Sequence, residues 1–253
     1  MLDERYLSLI AGYGAAVGIF WLLYATMKPR FLCRENSTID KPWLETGLLI
    51  VAVIAVIGVG QLWSKNLLLP EETWVFEALN QVIIFAPILI ILALRGNLSS
   101  RAYLPIVSGL PSIVIGLVLA AVALTAYSGA SGDLGGALVM AEKMADIENL
   151  PHVVQVLLED IAIAALLAFI AAAIGGRTAV IIVAALFAAA HVPALLAKGF
   201  ELTELISLVL DAGIGVLVLG AIIASRNVWW FWPIHTVMDL TQFYYKDVFG
   251  VGG

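Results

Sequence analysis

Six ionisable side chains interrupt apolar runs in the second half of the sequence: Glu159, Asp160, His191, Asp211, His235 and Asp239. A charge at the centre of a membrane-length apolar run costs at least ~2.5 kcal/mol on insertion scales, so each of these residues calls for a partner or a function. Carboxylates and imidazoles together are the ingredients of water activation. A carboxylate takes a proton from water, and an imidazole orients the reacting groups or returns a proton. Such chemistry needs no serine or cysteine nucleophile, and none is evident. Cys33, the single cysteine, falls in a charged loop, and Ser207 is not near the level of the acids.

Spacing gathers the group. Glu159 follows Pro151 by eight residues, while His191 and Asp239 precede Lys198 and Lys246 by seven. With helices alternating in direction and rising 1.5 Å per residue, the three lie roughly 10 to 12 Å below one membrane surface. His235 is one turn deeper on the face of Asp239. His152, Gln155 and Glu159 share one helix face, and His235, Asp239 and Gln242 share another. Two polar stripes entering from the same side describe a hydrated cavity closed at its far end. Ala162, Ala164 and Ala165 after the acids, and Ala184, Ala185 and Ala188 before His191, let the backbones approach closely.

The elements that must position these residues follow from composition. Hydrophobic residues make up 62% of the 253 and charged residues 13%, against about 45 to 50% and about 25% in soluble domains. A soluble fold of this size cannot bury so much apolar surface, so the fold class is all-α: a polytopic membrane bundle of about eight transmembrane helices. The first 127 residues hold four spans, Tyr6 to Met27, Thr46 to Trp63, Trp74 to Leu94 and Tyr103 to Tyr127. Residues 128–151 form a loop with an amphipathic helix at the interface, Ala137 to Leu150. Residues 152–253 hold four more spans, His152 to Ile174, Thr178 to Ala197, Leu202 to Ala224 and Val228 to about Val248. Continuous apolar runs of this length argue against a β-barrel.

Thirteen Lys and Arg against 19 Asp and Glu leave no basic surface for nucleic acid. One cysteine permits neither an intrachain disulfide nor a cysteine-based zinc site. The loops after spans one, three, five and seven carry eight of the 13 basic residues, which favours both termini on the non-cytoplasmic side. The expected setting is the cytoplasmic membrane of a bacterium or archaeon, with the lipid bilayer as one partner and a peptide, membrane-protein substrate or partner subunit as another. His152 reads as interfacial, Glu77, Asn80 and Gln81 as lining the cavity or, in preference, capping a span end, and Trp229, Trp230 and Trp232 as an interfacial aromatic belt.

Phe187-Ala-Ala-Ala-His191 fits FxxxH, and His235-Thr-Val-Met-Asp239 fits HxxxN/D, each on a late span. Together with Glu159-Asp160 and the aromatic approach Asn227-Val-Trp-Trp-Phe-Trp-Pro-Ile, the pattern resembles the CPBP family of intramembrane proteases, which includes CAAX-prenyl and bacteriocin-processing enzymes. The resemblance covers His152 to Lys246. It departs from the family's first motif, EExxxR, where the second acid is Asp160 and the arginine position is Ala164. It implies an intramembrane endopeptidase in which Glu159 and His191 activate a water while His235 and Asp239 orient or stabilise the tetrahedral intermediate. Asp160 and Phe187 take supporting roles. The same four residues, Glu159, His191, His235 and Asp239, are also a candidate zinc set, with two ligands at i and i+4. The competing readings are a catalytically inactive subunit or scaffold that binds other membrane proteins, and a proton-coupled transporter using Asp211 and Glu159.

Overall fold

Backbone polar groups inside a bilayer must be satisfied within the chain, and a continuous helix does this at every residue. Each of the eight apolar runs forms one. A computed structural model describes residues 4–27, 39–70, 72–96, 102–106, 108–198 and 202–250, with the side chains of 4, 5, 27, 190, 191, 193–198, 202–207 and 211 outside the description. The helices are α1 (Glu4–Met27), α2 (Pro42–Trp63), α3 (Trp74–Leu94), α4 (Gly109–Ala130), the short α5 (Gly136–Met144), α6 (Leu150–Ile174), α7 (Gly176–Lys198), α8 (Leu202–Ser225) and α9 (Trp232–Phe249). There is no strand among the described residues. The protein is an all-α bundle.

Six helices, α1, α2, α3, α4, α6 and α8, are long and apolar enough to cross a membrane. The described apolar stretch of α7 is shorter, Gly176–Ala189. α9 is the least apolar helix of the nine described, carrying His235, Asp239, Lys246 and Asp247. Its position explains how it is tolerated. α9 packs against α1, α4, α5 and α6, and α6 in turn against α2, α3, α7, α8 and α9, so these two helices form the centre. Over the most apolar window, 56% of α6 is buried within the bundle against 22% of α2. Outward-facing Leu22, Val51, Ile54, Leu117 and Ile181 form the periphery, the surface that meets lipid.

Close approach to α9 is made possible by glycine. A Cβ at Gly116 of α4 would collide with the Trp230 carbonyl and come within 2.9 Å of the Pro233 ring. At the other end of α6, Gly175 has φ 90° and ψ 151°, a conformation open essentially only to glycine, and it joins α6 to α7 through a single residue.

Consecutive long helices alternate in direction, as the short connections require. At one end Tyr24 donates to the Ala224 carbonyl at 3.3 Å, joining the last turns of α1 and α8. Arg95 beyond α3 meets Glu45 near the start of α2 at 2.6 Å there. At the other end Ser131, just after α4, donates to Ser8 of α1 at 2.8 Å. There too Tyr244 of α9 donates to Asn149, just before α6, at 2.8 Å.

Several expectations change. α5 ends at Met144, and a 3-10 turn at Ile147–Asn149 follows, where the Asp146 carboxylate accepts the Glu148 N–H at 3.1 Å. α5 packs on α9, with Gly136 lying tightly against Phe249 at its end. Trp230 does not join an aromatic belt. It is fully buried, stacks on Phe20 at 4.1 Å and donates its indole N–H to Ser225 at 3.0 Å. Its neighbour Trp229 is half-buried and donates to the Pro105 carbonyl at 3.1 Å. These side chains belong to the turn between α8 and α9, and α9 starts at Trp232. Asn80 clamps the connection before α3, with its amide bonded to both the N–H and the carbonyl of Leu69, while Thr73 caps the helix itself by accepting the Phe76 N–H.

Candidate functional site

α6 and α9 meet along the two polar stripes. Three- and four-residue steps keep each stripe on one face, and within each face a glutamine holds an acid. Gln155 donates to Glu159 at 2.9 Å, and Gln242 donates to Asp239 at 3.1 Å. Because the helices run in opposite directions, the stripes exchange partners across the interface. His235 of α9 meets Asp160 of α6 with Nδ1 2.9 Å from Oδ1. His152 of α6 meets Asp239 of α9 with Nε2 2.8 Å from Oδ2, although this contact is off the angle of a hydrogen bond. Each helix thus supplies one histidine and one aspartate to the other.

Exposure falls along the stripes. Side-chain exposure is 31% at Asp239 and 17% at His152, then 9% at His235 and 1% at Asp160. Gln242 is exposed and Glu159 half-buried. Access therefore runs from the Leu150 end of α6 inward, with the Asp160–His235 pair at the bottom. Glu159 adjoins Asp160 in the chain, and Asp239 lies one turn from His235 on α9.

His235 is held on both sides. The Phe231 ring stacks on it at 5.3 Å and 22°, and Phe187 of α7 meets it edge-on at 6.2 Å. With Nδ1 engaged by the aspartate and both flanks packed, the imidazole keeps one orientation, and Nε2 is the nitrogen left for other chemistry. The second oxygen of Asp160, Oδ2, is buried without a hydrogen-bond partner among the described residues. A carboxylate oxygen in that position is costly unless a water or ligand donor serves it.

No family model, curated protein or solved structure matches this chain. The site's chemistry therefore rests on its own residues.

The sequence ranked Glu159 above Asp160, which it placed in support. The structure puts Asp160 deepest, in direct contact with His235, because a one-residue step turns the side chain about 100° around α6 and onto α9. His152, read as interfacial, is drawn into the cluster by Asp239 and also meets the Phe243 ring edge-on at 4.9 Å. Phe187 stands edge-on to His235, the histidine of the other motif. His191 lies four residues beyond it in α7, but its side chain, and with it the proposed approach to Glu159, lies outside the described residues, as does that of Asp211. Phe231 was not singled out; its signal was the four-residue step to His235 on one helix face.

For zinc, the described geometry commits Asp160 to His235 Nδ1 and points Asp239 toward His152. Among the described residues no three His, Cys, Asp or Glu side chains form a metal-ligating group. Glu159 and His235 Nε2 are the groups whose chemistry suits a water or a metal, and the steps below use only the chain's own residues.

Proposed function

We propose that the chain is an intramembrane endopeptidase of the CPBP kind, hydrolysing a peptide bond in a membrane-associated protein or peptide. The observation that carries this reading is the buried Asp160–His235 bond, with Nε2 of the imidazole uncommitted and the half-buried Glu159 next to Asp160 in the chain. Glu159, with His191, deprotonates a water whose oxygen attacks the scissile carbonyl carbon, and the carbonyl π electrons move to oxygen. His235, held by Asp160 as the aspartate of a catalytic triad holds its histidine, stabilises the oxyanion or supplies the proton that the leaving amine takes as the C–N bond breaks. The orphaned Asp160 Oδ2 supports a hydrated site, since water is its natural donor.

The test compares the N-termini present in membranes of cells carrying the wild-type chain and Glu159→Gln. Cleavage products should fall at least ~10²-fold, the scale of a general base, with the amount of folded protein unchanged. Identical sets of N-termini would remove the enzyme reading.

One observation favours a second reading, an inactive subunit that binds other membrane proteins. Ala164, at the position of the motif arginine, is fully buried in the apolar core, and the reciprocal His–Asp contacts suffice as helix cross-links. A subunit predicts that Glu159→Gln is silent and that substitutions at outward-facing Ile54 or Ile181 disrupt function.

A further inference from the structure

The opposite ends of α6, α7 and α8 enclose a second feature. A cavity of about 330 Å³ is lined by Tyr103, Gly176 and Arg226, with Ala168, Ala171 and Ile223 as apolar wall. This is the lower end of the roughly 300 to 1,000 Å³ range of small-ligand pockets. It lies about 16 Å along α6 from Asp160, eleven residues at 1.5 Å each, and shares no residue with the His–Asp cluster.

Groups that favour an anion border it on three sides. Arg226 follows the last turn of α8, and among the described residues no carboxylate pairs with its guanidinium. Tyr103 brings a phenol whose pKa burial pushes up and the neighbouring Arg226 charge pulls part-way back, so the hydroxyl remains a donor. Gly176 opens α7, whose first turn presents N–H groups without intrahelical acceptors and the positive end of the helix dipole. An unpaired cation, a hydroxyl donor and a helix N-terminus around one cavity select an anion with several acceptor oxygens. The methyl-lined wall selects one that carries an apolar body.

The location narrows the source. Ile39, Tyr103 and Arg226 belong to the connections after α1, α3 and α8, and Gly176 opens α7; all four lie at the bundle end that also holds Lys41, Arg95 and Arg177. A basic pocket between helices at that end faces the anionic leaflet. We propose that this cavity binds the phosphate of an anionic phospholipid, with Arg226 as the principal contact and the alanine wall of α6 against its glycerol and acyl stem.

The experiment is native mass spectrometry of the full chain released from detergent, titrated separately with phosphatidylglycerol and phosphatidylcholine. The wild type should retain one phosphatidylglycerol at least ~10-fold more tightly than phosphatidylcholine. Arg226→Asn removes the charge yet tolerates the positive φ of 51° at this position, and it should abolish that preference. Ala172→Phe narrows the cavity without touching a charge and should weaken retention of phosphatidylglycerol, whereas Arg226→Lys should keep the preference. Equal retention of the two lipids by the wild type, or an unchanged preference in Arg226→Asn, would overturn the proposal. Displacement of the lipid by millimolar inorganic phosphate would assign the pocket to a free anion and overturn the lipid source.

Discussion

The α2–α3 hairpin and the α6–α9 pair each join two helices through a carboxylate and a basic side chain, an arginine in one and a histidine in the other, and they place that contact in opposite settings. Glu45 meets Arg95 at the bundle's end, where the guanidinium is 40% exposed. Asp160 meets His235 inside it, with side chains 1% and 9% exposed. The apolar α2 lies at the periphery and the polar α9 at the centre. In lipid, apolarity marks what faces outward, and the polar helix is the one the others must cover. A carboxylate held by a basic side chain is consequently a peripheral tie in one region and a buried cross-link in the other.

The sharpest way to break this comparison is His235→Phe, which keeps the ring between Phe231 and Phe187 and removes the donor from a buried carboxylate. Stability should fall by about 3 to 5 kcal/mol, the cost of stranding one member of a buried pair. Adding Asp160→Leu should recover much of the loss, and denaturant titrations of both variants in detergent measure the coupling. A loss in His235→Phe no larger than that of a surface substitution would mean Asp160 is not held as a charged partner.

Next in size, Gly116→Leu tests whether α9 is central because α4 can approach it. The added side chain meets the Trp230 carbonyl and Pro233, and overpacking of this kind costs about 1 to 3 kcal/mol. A thermal midpoint equal to that of the wild type would show that α9 is free to move away. The smallest effect belongs to Glu45→Gln. Its partner is solvent-accessible and screened, so the thermal midpoint should stay close to wild type, and the small difference should shrink further in high salt. A shift as large as that of His235→Phe would erase the contrast between the two regions.

Much of this arrangement was legible in the sequence because it depends on periodicity. Gln155 four residues before Glu159, and Gln242 three after Asp239, had to share helix faces whatever the bundle's packing. Run lengths yielded the long helices, and short connections made neighbours antiparallel. Trp230 was misread because an aromatic near a span end is equally suited to a belt and to a core. Stacking on Phe20, more than two hundred positions earlier in the chain, decided between them.

Local pattern by itself therefore determined that the chain is helical, where the polar groups sit along each helix, and that two stripes enter from one end. These follow from hydrogen bonding and helical pitch within a few residues. Only the tertiary structure decided that Asp160 rather than Glu159 meets His235, that His152 turns to Asp239, and that Arg226, Tyr103 and Gly176 border one cavity. Those outcomes depend on the rotation and crossing of helices far apart in sequence, and one step of about 100° is enough to exchange the residue facing a partner for its neighbour.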